Sequence, residues 1–252
     1  MNDKKMFLLG GNDLEMETIS RILKENDISF RDRCLSWNEA YLSRYKTELD
    51  EFGGRSGYII YGVELQEDIG CPCNYVRIDH HNDYAHRPSS IEQVMGILNI
   101  PMERYHKLVS ANDAHYIQGM IDEGATQAEI KHIRYADRKA QGVTENDEML
   151  AVKAIEGKSQ YGSLTVVNAL SSAFSPICDR LYPYKNLLIY TKDELVFYGE
   201  GTAKLKNMFH DYINERKMYY GGGENGYLGM VKGVFTADDI KRIVDEIKIL
   251  FI

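Results

Sequence analysis

Proline and tryptophan are scarce, with five prolines and one tryptophan among 252 residues. There is no internal repeat and no low-complexity tract, which excludes collagen-like, solenoid and disordered chains. Four cysteines are too few for a disulfide scaffold at this length and read as reduced thiols. Cys71-Pro72-Cys73 lacks the second pair that structural zinc wants, so these two are expected as thiols in a turn, and Cys34 and Cys178 as small buried residues. No apolar run is long enough to span a membrane, and Met6–Leu9 is too short for the core of a signal peptide. The expectation is a cytoplasmic protein with no membrane partner. Positive charge is not in excess either. Thirty Lys and Arg stand against thirty-eight Asp and Glu, a net charge of −8, which argues against duplex DNA as a partner.

Hydrophobic residues make up 44% and charged residues 27%, the mix of a globular chain able to bury a core, and the length favours two domains. In the N-terminal part, strand-like apolar runs alternate with helical periodicity. Met6–Leu9, Tyr58–Val63 and Tyr75–Ile78 read as strands, the second with the continuous apolar character of a strand buried on both faces. Helices are expected from Leu14, over Ser90–Leu98, Glu103–Asp122 and Gln127–Gln141, and over Asn146–Glu156. Beyond Ser159, strands at Leu164–Val167, Asn186–Tyr190 and Glu194–Tyr198 are followed by a helix over Ala203–Arg216, a glycine-rich stretch from Gly221, and a final helix from Ala237. The fold class implied is α/β: an N-terminal parallel-sheet domain with a helical extension over residues 1–156, then a smaller α+β domain over 163–252.

The segment richest in chemistry is Asp79-His80-His81-Asn82, which follows a strand directly. Open parallel sheets place ligands at the carboxyl ends of their strands, and a carboxylate beside two imidazoles suits Mn²⁺ or Zn²⁺. Successive side chains of an extended strand point to opposite faces, so one His as ligand and the other on a substrate phosphate is the natural division. Asp13 and Glu15 follow the first strand, Glu64 follows the strand ending at Val63, and Asp113 lies in a helical region. Converging carboxylates repel one another unless cations neutralise them, which is the logic of a metal-dependent hydrolytic site. Asp13 also sits where a helix cap belongs.

Ile78-Asp79-His80-His81-Asn82, with Pro88-Ser89-Ser90-Ile91 downstream, resembles the signature of the DHH phosphoesterase superfamily. Asp13 and Glu15 match its first motif, Glu64 the acidic residue ending the next core strand, and Asp113 the fourth-motif Asp. Gly221-Gly222-Gly223-Glu224 is similar to the family's Gly-Gly-Gly-His loop. The resemblance implies hydrolysis of a small phosphoester or phosphoanhydride at one or two Mn²⁺ or Mg²⁺ ions, by a water acidified by the metal. Small phosphorylated substrates would include a short single-stranded oligonucleotide, a cyclic dinucleotide or a nucleotide bisphosphate. The resemblance assigns metal ligation to Asp13, Glu15, Glu64, Asp79, His80 and Asp113, and catalysis to Asp79 and His81. Substrate binding falls to Gly221, Gly222, Gly223, Glu224 and Asn225. The chain departs from the family at Leu9, where a His is usual, and at Glu15, Glu64 and Glu224. These departures leave a second reading open, a nucleotide- or phosphate-binding protein of the same fold without turnover. Tyr219-Tyr220, just before the glycines, could flank a base or simply pack.

Overall fold

The computed structural model describes residues 3–222 and 226–252. Its chain divides into two units, 1–142 and 143–252.

In the first unit, β1 (Lys4–Leu9), β2 (Ser29–Asp32), β3 (Tyr58–Val63) and β4 (Tyr75–Ile78) form one sheet in the order β2-β1-β3-β4. All neighbours run parallel, and the register sets Leu9 beside Val63 and Val63 beside Ile78. The ladder continues one step further. Gly10 N–H donates to Val63 O at 2.9 Å, and Glu64 N–H donates to Ile78 O at 2.8 Å. Whatever follows these three strands therefore emerges along one edge of the sheet.

Strand alternation divides the core between two faces. Met6 and Leu8 pack with Leu42, Tyr45, Leu49, Phe52 and Ile60 on one face, where α2 (Lys46–Phe52) lies. Phe7 and Leu9, fully buried, point the other way. The remaining helices are α1 (Leu14–Glu25), α3 (Ser90–Leu98), α4 (Arg104–Asp122) and α5 (Gln127–Ala140), with α1 packed against the other three. Helix α1 forms because Asp13 caps it, accepting Met16 N–H at 2.9 Å, while Glu15 and Glu17 occupy its first turn and Lys24 its last. Its buried stripe of Leu14, Ile19, Ile22 and Leu23 contributes roughly 1.5–3 kcal/mol per side chain.

Helix α4 is not straight. His115 (φ −142°) and Tyr116 (φ +57°) leave helical geometry, so the chain kinks two residues after Asp113. Gly119 permits the close return, since a Cβ there would lie 2.4 Å from Ala111 O. The sequence pattern carried no sign of this kink. Strand β2 and helix α2 were also not anticipated, both being short. Cys34, expected to be buried, is exposed in a left-handed turn (φ +48°) just beyond β2, while Cys71 and Cys73 are exposed and free as anticipated.

The second unit begins with α6 (Glu145–Glu156), which packs on α7 (Ser175–Leu181) and β6 (Leu164–Asn168). The contacts thus place α6 with the second unit, whereas the sequence pattern put the division between 156 and 163. Strands β5 (Ser159–Tyr161), β6, β7 (Asn186–Tyr190), β8 (Leu195–Gly199), β9 (Met218–Gly221) and β10 (Tyr227–Met230) form a sheet in the order β5-β6-β7-β8-β10-β9, in which β6 and β7 pair in parallel and the other pairs are antiparallel. One face packs on α8 (Thr202–Met208) and α10 (Ala237–Ile249) through Leu188, Phe197, Leu228, Leu205, Ile243 and Ile247. The other packs on α6 and α7 through Val167, Leu187, Ile189, Ala151 and Ile177. The single helix expected over Ala203–Arg216 is interrupted at Phe209, which separates α8 from α9 (His210–Asn214). Among the described residues no helix is long and apolar enough to cross a membrane.

Candidate metal centre

The shared strand edge brings the acidic and imidazole candidates together. Glu64 follows β3 in a left-handed conformation (φ +51°), uncommon for a residue with a side chain, and is buried. His80 lies two residues beyond β4 and is also buried. Its Nε2 lies 2.6 Å from Asp113 Oδ2, 3.3 Å from Glu64 Oε1 and 3.8 Å from Glu15 Oε2. Glu64, His80, His81 and Asp113 each offer a ligand atom within 4.8 Å of the others.

The N-terminus of α3 holds the two glutamates. Ser90 Oγ donates to Glu64 Oε1 at 2.7 Å, and Ile91 N–H donates to Glu15 Oε1 at 3.0 Å. A helix N-terminus is a natural seat for carboxylates, because its N–H groups are free and its dipole is positive. Each glutamate therefore has one oxygen tied down and the other left over. Glu15 Oε2, Glu64 Oε2, His80 Nε2 and Asp113 Oδ2 are all buried with no hydrogen-bond partner. His80 Nε2 and Asp113 Oδ2 are 2.6 Å apart, an ion-pair contact without hydrogen-bond alignment.

Protonation follows from the crowding. Burial, then the Asp113 and Glu64 carboxylates, hold the Glu15 carboxyl well above its ordinary range. The same causes push Asp13 up to about 8. Burial opposes charge on His80, but Asp113 and Glu64 outweigh it and raise the imidazole to about 10. Protons stand in for positive charge here, and a divalent cation would replace them.

The other expected residues lie around this group. Asp79, expected to ligate or bridge, is engaged elsewhere. Its Oδ1 accepts His81 N–H at 2.9 Å and lies 3.4 Å from His81 Nδ1, while its Oδ2 is 3.8 Å from Arg77. Burial resists its ionisation, but His81 and Arg77 prevail and lower its pKa. Asp13 is buried beside the cluster with Oδ1 on Met16 N–H, the capping role. His81 stands at the rim with its side chain 44% exposed, and Asp79 raises its pKa. Leu9 is fully buried and supplies no ligand. Gly221 closes β9, and Gly222 has φ +79°. Gly223, Glu224 and Asn225 lie outside the described residues.

Two supports were not foreseen as site residues. Ser90 lay within the quoted Pro-Ser-Ser segment, whose helix-opening pattern was the available signal. Behind the cluster, Arg134 Nη1 donates to Asn112 Oδ1 at 2.8 Å and to Asp137 Oδ2 at 2.7 Å, and Asp137 Oδ1 accepts Leu14 N–H at 3.3 Å. This buried network ties α4, next to Asp113, to the start of α1, next to Asp13. No local motif announces it, because it joins residues far apart in sequence.

No protein-family model and no curated protein sequence matches the chain. Among solved structures it is similar to an uncharacterized protein from Helicobacter pylori G27, at 12% identity over 98% of this chain and 99% of that one, with a TM-score of 0.33. It is similar to exonuclease RecJ bound to manganese, at 10% identity over 99% and 91%, with a TM-score of 0.45. It is also similar to the DHH domain of a member of the s1p family of ribosomal proteins, at 11% identity over 98% and 87%, with a TM-score of 0.48. At such identities the site has to be judged on its own atoms.

Proposed function

We propose that this chain is a divalent-metal-dependent phosphoesterase of the DHH type, acting on a small phosphoester or phosphoanhydride. The observation that carries the reading is the set of four orphaned buried atoms, Glu15 Oε2, Glu64 Oε2, His80 Nε2 and Asp113 Oδ2. Leaving such groups unpaired costs about 1–3 kcal/mol each, more when charged, and a cation among them removes that cost. The donor set fits one: three carboxylates and an imidazole suit Mn²⁺, with Mg²⁺ as the harder alternative. When bound, the ion supplies a Lewis acid for a phosphoryl oxygen and lowers the pKa of a water nucleophile.

The chain's own residues do the rest. Ser90 and the Ile91 N–H orient the glutamates, and Asp79 fixes the ring of His81 through Nδ1 and the backbone. His81, exposed at the rim, is then turned towards a substrate phosphate, which its raised pKa favours. Arg77 and Arg87 both lie over the Tyr84 ring just after the histidines, at 4.8 and 4.4 Å; Arg77 is paired with Glu67 at 2.7 Å, so Arg87 is the cation that adds positive charge to that loop.

The buried Leu9 favours one ion over two, and it is the observation behind the second reading, a binding protein without turnover. Hydrolysis of bis-p-nitrophenyl phosphate with Mn²⁺, together with metal content by mass spectrometry, separates the two. The expected result is one equivalent of metal and turnover that His80→Ala and Asp79→Ala abolish or nearly so. Ligand-induced thermal stabilisation without turnover selects the second reading, and equal background rates for wild type and His80→Ala end the first.

A further inference from the structure

Trp37 is the only tryptophan in the sequence, and its indole is 42% exposed. It belongs to the segment between β2 and α2, which is anchored in the core by Leu35, Ala40 and Leu42. Those neighbours do the packing, and the indole is turned outward over the turn that follows β1. A Cβ on Gly11 would lie 2.7–2.9 Å from three atoms of its six-membered ring, and Gly11 has φ +78°, so glycine is required there on both counts. The ring meets His81 edge-on, with centres 5.8 Å apart and planes at 63°. Among the described residues, His81 is its one aromatic neighbour. A broad apolar plane is thus held open beside the imidazole at the rim of the metal cluster.

We propose that Trp37 is a specificity-determining residue that stacks a planar aromatic group, a nucleobase, attached to the phosphate held at His81. The inference rests on the phosphoesterase reading for the position of the phosphate, and it adds which neighbouring group the site selects. An indole face offers nothing to an inorganic polyphosphate and only the weaker contact of C–H groups to a sugar phosphate, whereas every base has a π-face to place on it. The glycine beneath the ring and the imidazole at its edge fix the plane in advance, so little ordering is needed on binding.

Because the chain has one tryptophan, its emission reports this surface directly. The full chain, loaded with Mn²⁺, is titrated with 5′-AMP, ribose 5-phosphate and inorganic phosphate. The expected result is quenching by AMP, and AMP binding about tenfold tighter than ribose 5-phosphate. Trp37→Leu, followed by calorimetry, is expected to erase the AMP advantage while keeping ribose 5-phosphate and Mn²⁺ affinities within about twofold, and Trp37→Phe to keep most of it. Equal affinities for AMP and ribose 5-phosphate in the wild type, no AMP binding at millimolar concentration, or an advantage that survives Trp37→Leu would each overturn the proposal. Absence of bis-p-nitrophenyl phosphate hydrolysis alongside AMP quenching would instead overturn the phosphoesterase reading and leave base stacking standing.

Discussion

Asn186 in the second unit and Glu64 in the first are both buried polar residues at strand ends, and the protein treats them oppositely. Asn186 opens β7 with both ends of its amide satisfied: Nδ2 donates to Ser163 at 3.0 Å, and Oδ1 accepts Gly201 N–H at 2.8 Å. Nearby, Thr202 donates to Gly199 O, and Glu148 is paired with Arg180 at 2.6 Å. Glu64 has one oxygen satisfied by Ser90 and the other without a hydrogen bond, and Glu15 is held in the same way by Ile91 N–H. Among the described residues, the orphaned buried atoms outside this cluster are Tyr75 Oη and Glu194 Oε1. Around Asn186 the buried polar groups fix the fold. Around His80 they leave oxygens without hydrogen bonds at a cost in stability, the usual sign that a site is kept for a ligand.

The largest expected effect is on the unsatisfied side of this contrast. Glu15→Gln removes a carboxyl whose ionisation burial and the neighbouring carboxylates oppose. It is expected to raise the Tm of the metal-free protein while weakening Mn²⁺ binding by more than about a hundredfold, the upper end seen for residues that merely support ligands. Calorimetric titration and a thermal melt check both, and a variant that binds Mn²⁺ like wild type would erase the contrast.

The next effect is a dependence on pH. Asp13 is raised to about 8 and His80 to about 10, so the folded chain holds protons there that the unfolded chain releases earlier. Metal-free stability should therefore be greatest below the ordinary pKa values of these groups and be lost as pH rises towards 8 and then 10. Mn²⁺ must displace the proton on His80, so its affinity should rise with pH by about tenfold per unit for each proton released. Titrations in buffers of different ionisation enthalpy measure that number, and a flat profile would mean that the cluster is not where the metal binds.

The smallest effect lies on the satisfied side. Thr236 caps α10 in a reciprocal pair with Asp239, each side chain accepting the other's backbone N–H. Thr236→Ala is expected to cost about 1 kcal/mol of stability in urea unfolding. Mn²⁺ affinity should not change.

Where periodicity was strong, the sequence was legible. Tyr58–Val63, Tyr75–Ile78, Ser90–Leu98 and Asn186–Tyr190 fold as their patterns predict. Failures came where local signals were weak or overridden. Helix α6 has its expected extent, but which unit it joins depends on partners in α7 and β6 that the helix itself does not encode. The run over Ala203–Arg216 keeps helical composition, yet the chain breaks at Phe209, whose ring belongs to the core. Cys34 was misplaced because a lone small apolar residue carries no periodicity.

Residue types and their order along the chain determined that carboxylates and imidazoles would stand at the ends of parallel strands, because apolar runs must form buried strands and the polar residues after them must emerge at an edge. Which of those groups meet was decided only in three dimensions. Strand register brought the ends of β3 and β4 level, where the side chains of Glu64 and His80 meet, the N-terminus of α3 chose one oxygen of each glutamate, and the stretch of α4 before its kink delivered Asp113, while Asp79, the most prominent letter of the motif, was turned to His81 and Arg77. Hydrogen-bond direction and close packing act between residues dozens of positions apart, and no local pattern records them.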